Sequence, residues 1–147
     1  MDRLRGQRLR ARKRHRARGQ SLVEFALVLP LFLLILAGIV DFGTALATSI
    51  TVTNAAREGA RLGAVNPSTS AITARVNAVA AGLDTSRLTV TTSCLRLSGG
   101  SYGACSGTQW QPGDSMVVSA SYTYRLIWPL ALGMQIPLSS SVEMRVE

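Results

Sequence analysis

Histidine is almost missing from this chain. The only one, His15, stands among arginines, where a solvated side chain is a simpler reading than a catalytic base. No two carboxylates are spaced for acid–base work, no glycine-rich loop suits a phosphate, and no nucleophile has a candidate base. A non-enzymatic protein without a cofactor is therefore expected. There are only two cysteines, Cys94 and Cys105, and no other residues to complete a zinc site with them. The most telling scarcity is of charge. From Phe25 to Val40 no side chain is charged, and with Leu22 and Val23 the stretch approaches the ~20 residues that cross a bilayer core. A buried core helix is the soluble alternative, but a run that is apolar on every face does not suit the core of so small a chain.

Charge is concentrated before that run. The net charge is +8, yet Arg3, Arg5, Arg8, Arg10, Arg12, Lys13, Arg14, Arg16 and Arg18, opposed by Asp2 alone, account for all of it. Beyond Gly19 acids and bases balance, so the folded part is not a nucleic-acid binder of the generic basic kind. The tail could touch RNA or anionic lipid; its simpler role is a topology signal. Positive charge stays on the cytoplasmic side of a span, which places the N-terminus inside and everything after about Asp41 outside. A secretory signal peptide also pairs bases with an apolar run, but its run is shorter and ends at a small-x-small site. Here the helical pattern continues instead.

The junction itself is distinctive. Gly19 is followed by QSLVE, with Glu24 the fifth residue after the glycine, and then by the apolar helix. This arrangement resembles the cleavage and assembly signal of type IV prepilins, which is cut at the glycine junction on the cytoplasmic side and leaves the helix in the product. Glycine gives a peptidase an unhindered backbone. RGQSLVEFALVLPLFLLILAGIVDFG, with VEFAL-x-LP inside it, and NAAREGAR (Asn54 to Arg61) resemble the TadE-like family over residues 18–64. These are pilin-related subunits of the bacterial tight-adherence (Flp) pilus assembly system. The residue after the junction is Gln20, where many prepilins carry Phe or Met.

The resemblance implies cleavage between Gly19 and Gln20, with Glu24 as the carboxylate that pairs with the new N-terminus of its own or a neighbouring subunit during assembly. Its bland counterpart is an interfacial charge favourable to the helix dipole. The implied partners are the lipid bilayer, a prepilin peptidase, other pilin-like subunits and the tight-adherence secretion machinery, with no nucleic acid. The implied location is the bacterial cytoplasmic (inner) membrane, single-pass, or the pilus itself.

In chain order, residues 1–19 form a basic tail expected to be disordered, and residues 20–43 a transmembrane helix carrying Pro30 as a kink. Residues 44–65 continue that helix outside the membrane, about 69 Å in all at ~1.5 Å per residue, until Asn66-Pro67 stops it. Phe42, Leu46, Ile50 and Thr53 fall on one face of the continuation; Asn54, Glu58 and Arg61 fall on another. Asn54, Arg57, Glu58 and Arg61 form a candidate interaction cluster, pairing among themselves or with a partner. Gly59-xxx-Gly63 has two readings: close approach by another helix, or a surface kept small beneath the protein's own sheet.

Residues 66–147 make a small α+β domain. A short helix fits Thr69 to Ala81, capped by Ser68 or Thr69. Three alternating runs follow: Leu88 to Cys94, Met116 to Leu126, and Leu138 to Val146. The whole is an α+β membrane protein of pilin-like fold, a long N-terminal helix extending into a small antiparallel sheet. Outside the cytoplasm Cys94 and Cys105 are expected to form a disulfide around part of a Gly/Ser-rich loop. The apolar stretch Trp128 to Pro137 belongs to the core edge or to the bilayer surface. Two functions stand against each other: a pilin-like assembly subunit, and an uncleaved single-pass envelope protein whose outer domain binds a partner or surface.

Overall fold

The structure is a computed structural model and describes residues 2–105, 110–127 and 133–146. The chain divides into two compact units, residues 1–40 and Asp41–Glu147. One helix, α1 (Asp2–Val65), takes in the basic tail, the apolar run and the segment beyond it. The expected disorder of the tail is thus replaced by helix. Arg, Ala, Leu and Gln are all good helix formers, and only Gly6 and Gly19 oppose them there. Pro30 lies inside α1 without ending it. In the first unit, the side chains from Leu22 to Val40 turn large apolar surfaces outward, Leu27 among the most exposed at 74%. Among the described residues, Gly19–Val65 holds the one stretch of helix long and apolar enough to cross a membrane.

The second unit is α+β. After α1 come α2 (Thr69–Val79), a 3-10 turn over Thr85–Arg87, and four strands: β1 (Leu88–Ser98), β2 (Ser101–Ala104), β3 (Ser115–Arg125) and β4 (Gln135–Arg145). They form one antiparallel sheet in the order β2-β1-β3-β4. Three strands are expected from the sequence. The fourth, β2, is made by a hairpin through Gly99 and Gly100, whose φ values of +61° and +85° suit the two-residue turns that match strand twist. β4 also begins earlier than its alternation suggests and includes Pro137, which a strand at the edge of a sheet tolerates.

Alternation sorts the sheet into two faces. On one, the register aligns Val90 with Ala120, Thr92 with Val118 and Val142, and Cys94 with Met116 and Met144. On the other, Ser119 pairs with Ser141, their hydroxyls 2.9 Å apart. The apolar face packs beneath α1 and α2, where Val52, Ala55, Ala56, Ala60, Ile72, Val76, Met116, Val118 and Ala120 are almost wholly enclosed. Each of the larger aliphatic side chains contributes about 1.5–3 kcal/mol by leaving water.

The face that α1 offers to this core is small: Ala55, Ala56, Gly59, Ala60, Gly63 and Ala64 are all buried. A Cβ at Gly59 would lie 2.5 Å from Val76 Cγ2, and one at Gly63 would lie 3.0 Å from Ile72 Cδ1 and 3.1 Å from Met116 Cγ. Both glycines therefore serve the contact of α1 with α2 and β3, the second of their two readings. The face with large side chains stays open instead, with Phe42, Leu46 and Ile50 all at least half exposed. Ser68 stands at the N-cap of α2, but its side chain makes no capping bond. Its hydroxyl meets that of Ser70, and its backbone accepts from Ile72 N at 2.9 Å.

Candidate functional site

Gly19, Gln20 and Glu24 are all exposed on α1. Residues four apart share a helix face, so the Gln20 side-chain amide reaches Glu24 and donates to its Oε1 at 3.2 Å. A Cβ at Gly19 would meet nothing within 4 Å, so no packing demands glycine there.

Asp41, which ends the charge-free run, has a role that the sequence does not announce. It is only 5% exposed. Tyr124 Oη donates to its Oδ1 at 2.8 Å, and the Ile127 backbone N–H donates to Oδ1 and Oδ2 at 3.2 and 3.1 Å. Thr44 Oγ1 bonds the Asp41 carbonyl at 2.9 Å and meets Tyr124 Oη at 2.5 Å. Burial pushes the Tyr124 phenol above its ordinary pKa, Thr44 acts against that, and Asp41 adds to it, so the phenol remains a donor at physiological pH. One carboxylate thus ties the end of β3 to the part of α1 that follows the apolar run. No local sequence signal links positions that lie more than eighty residues apart.

Within the interaction cluster no two side chains are hydrogen-bonded to one another. Asn54, Arg57 and Arg61 are exposed, while Glu58 accepts from Arg75 Nη2 of α2 at 2.8 Å. That bond, chiefly, holds the Glu58 carboxyl below its usual pKa. Among the described residues Arg57 and Arg61 have no ion pair or hydrogen bond. Glu58, Arg61, Leu62, Val65 and Arg75 line a groove of about 400 Å³ between the end of α1 and α2.

Cys94 and Cys105 are joined in a disulfide, with Cα atoms 5.4 Å apart, and Cys105 N donates to Cys94 O at 3.2 Å. The bond staples the β1–β2 hairpin; closing a loop of that size is worth about 3 kcal/mol in the chain-entropy description. The carboxylate of Asp114 comes within 4.8 Å of both sulfurs, but the sulfurs are bonded to each other and Asp114 is held by an arginine. Arg96 grips it through two bonds, Nε to Oδ1 at 2.7 Å and Nη2 to Oδ2 at 2.6 Å, and Gln111 N donates to Oδ2 at 2.8 Å. This is a fork-to-fork pairing, and it explains the carboxyl's pKa of about 2, the Arg96 bonds first and the Gln111 bond second. A carboxyl depressed on folding stabilises the fold above its unfolded pKa and loses that contribution as pH falls through the folded one. The window here runs from about 4 down to about 2. Thermal melts between pH 5 and pH 2 will show a steeper acid loss for the natural chain than for Asp114→Asn. Parallel curves would remove Asp114 from the account.

Residues 128–132 of the apolar stretch Trp128 to Pro137 lie outside the described residues, and the choice between core edge and bilayer surface goes with them; in the remainder Met134 and Ile136 are exposed. Residues 19–61 match the family model described as TadE-like protein, the family that this same segment resembles in its motifs. No curated protein and no solved structure matches the chain.

Proposed function

We propose that this chain is a single-pass, pilin-like subunit that takes part in assembling a tight-adherence (Flp-type) pilus, and that a prepilin-type peptidase cuts it between Gly19 and Gln20. The observation that carries the reading is the family match, which opens at the junction glycine itself. The exposed apolar surface from Leu22 to Val40 supports a bilayer as its solvent. The basic tail supports a cytoplasmic N-terminus in the inner membrane, with the charge-balanced unit outside. The absence of acid–base pairs in the sequence supports a non-enzymatic role.

In this reading cleavage leaves an amine on Gln20 one helical turn from Glu24. A carboxylate within a span is costly and functional by default. Paired with an amine, on its own or a neighbouring subunit, it costs less than either group alone, and the pair fixes the stagger between helices. The open stripe of Phe42, Leu46 and Ile50 supports contacts beyond the span with other subunits. In the uncut chain the Gln20 amide occupies Glu24, so the amine would take over a carboxylate already oriented toward residue 20.

The expected result is a mature protein that begins at Gln20 when isolated from its host. Gly19→Phe will retain the tail, and Glu24→Ala will be cut normally yet fail to co-assemble. N-terminal sequencing and pull-down of tagged subunits measure both. A chain that still begins at Met1 beside an active peptidase would sink the pilin-like reading. The uncleaved, membrane-anchored binder would then stand, a reading that Gln20 in place of Phe or Met favours.

A further inference from the structure

The groove between the end of α1 and α2 is lined by two apolar side chains, two arginines and one glutamate. Val65 is 77% exposed and Leu62 half-buried, and the hydrocarbon stems of Arg61 and Arg75 extend the apolar walls. Glu58 is the groove's carboxylate, and it is already committed to Arg75 across the gap. That ion pair braces the two helices and leaves Arg61 lining the groove, with Arg57 one turn back on α1. Neither makes an ion pair or hydrogen bond among the described residues, although, beside the Arg75 bond, the Arg61 charge helps to depress the Glu58 pKa.

We infer that this groove docks an acidic, apolar-flanked peptide segment of a different protein, its carboxylate on Arg61 and a neighbouring apolar side chain on Leu62 and Val65. Guanidinium suits a carboxylate because its planar donors match both oxygens. An anionic lipid headgroup is disfavoured by distance. Arg61 lies twenty residues past Asp41 on one helix, about 30 Å at ~1.5 Å per residue, well beyond the end of the apolar run. A second copy is disfavoured by composition. Among the described carboxylates outside the basic tail and the apolar run, Asp41 is buried, Glu58 is in the groove itself, and Asp84 and Asp114 are held by Arg87 and Arg96. Glu143, exposed on β4, shares its side of the strand with Ser141 and Arg145 rather than with an apolar neighbour. The inference does not depend on cleavage at Gly19 or on the pilus reading.

The test places a photo-activated benzoylphenylalanine at Val65 of the full-length chain in its host membrane, irradiates it, and identifies the attached peptide by mass spectrometry. The expected adduct is a peptide of another protein with Asp or Glu within about one helical turn of the attachment point. Arg61→Glu should lower its yield roughly tenfold or more, and Lys in place of the partner's acid should restore it. An unchanged Cys94–Cys105 bond and unchanged protease resistance would show that the variants remain folded. An adduct to a second copy, to lipid or to a peptide without an acid overturns the inference. So does a yield indifferent to Arg61→Glu, or no adduct at all.

Discussion

Gly59→Leu will lower the melting temperature of the second unit by roughly 15 °C, from a loss of about 3 kcal/mol. Even a Cβ at this position would come within 2.5 Å of Val76 Cγ2 and 3.4 Å of Ile72 Cγ2 and Val118 Cγ1. All three side chains are fully enclosed, and a valine in a helix has one strongly preferred rotamer, so the strain must move α2 away from α1. Gly43→Ala is the control. Nothing lies within 4 Å of a Cβ there, and removing glycine from a helix interior gains up to ~1 kcal/mol. Two variants that behave alike would show that propensity, rather than contact, governs these glycines.

Asp41→Ala will cost about 3 kcal/mol, because two donors lose a charged acceptor in a buried place. The Tyr124 hydroxyl keeps Thr44, so most of the damage falls on the Ile127 N–H and on the hold over the end of β3. Asp41→Asn retains a carbonyl acceptor and should lose about half as much. In a double-mutant cycle with Tyr124→Phe, whose ring packs as before, the two losses will not add. Denaturant titration followed by far-ultraviolet circular dichroism reads all four states. Strict additivity would mean that the carboxylate and the phenol do not act together.

Legibility in the sequence followed the range of each interaction. β3 could be read directly, since Met116, Val118, Ala120, Tyr122 and Tyr124 face the helices while Ser119, Ser121 and Thr123 face away. β2 was hidden in a run rich in glycine and serine, although Gly99-Gly100 between two short segments is a hairpin signal. The spacing of Gly19 and Glu24 is visible in the sequence because both lie within one turn and a half of helix. Asp41 with Tyr124, and Glu58 with Arg75, could not, since no periodicity connects residues on separate elements. Nor did amphipathicity reveal which face of α1 is buried. The sheet already supplies bulky tyrosines and methionine to the core, so the helix contributes its smallest side chains and leaves Phe42, Leu46 and Ile50 outside.

The small face of α1 also sets an order of events. Residues 52–64 find near partners in α2 and distant ones in β3 and Val146, the latter more than fifty residues further along the chain, whereas the hairpin through Gly99-Gly100 closes locally. Contacts between distant parts of a chain form late and slowly because the loop between them must close first. The hairpin and its disulfide can form early, β3 and β4 can then pair as neighbours, and the helix reaches the sheet last. Until it docks, alanine and glycine expose little hydrocarbon to water, so the unpaired helix face is a weak target for misassociation. The residue sizes that make the final contact close also make the wait for it safe.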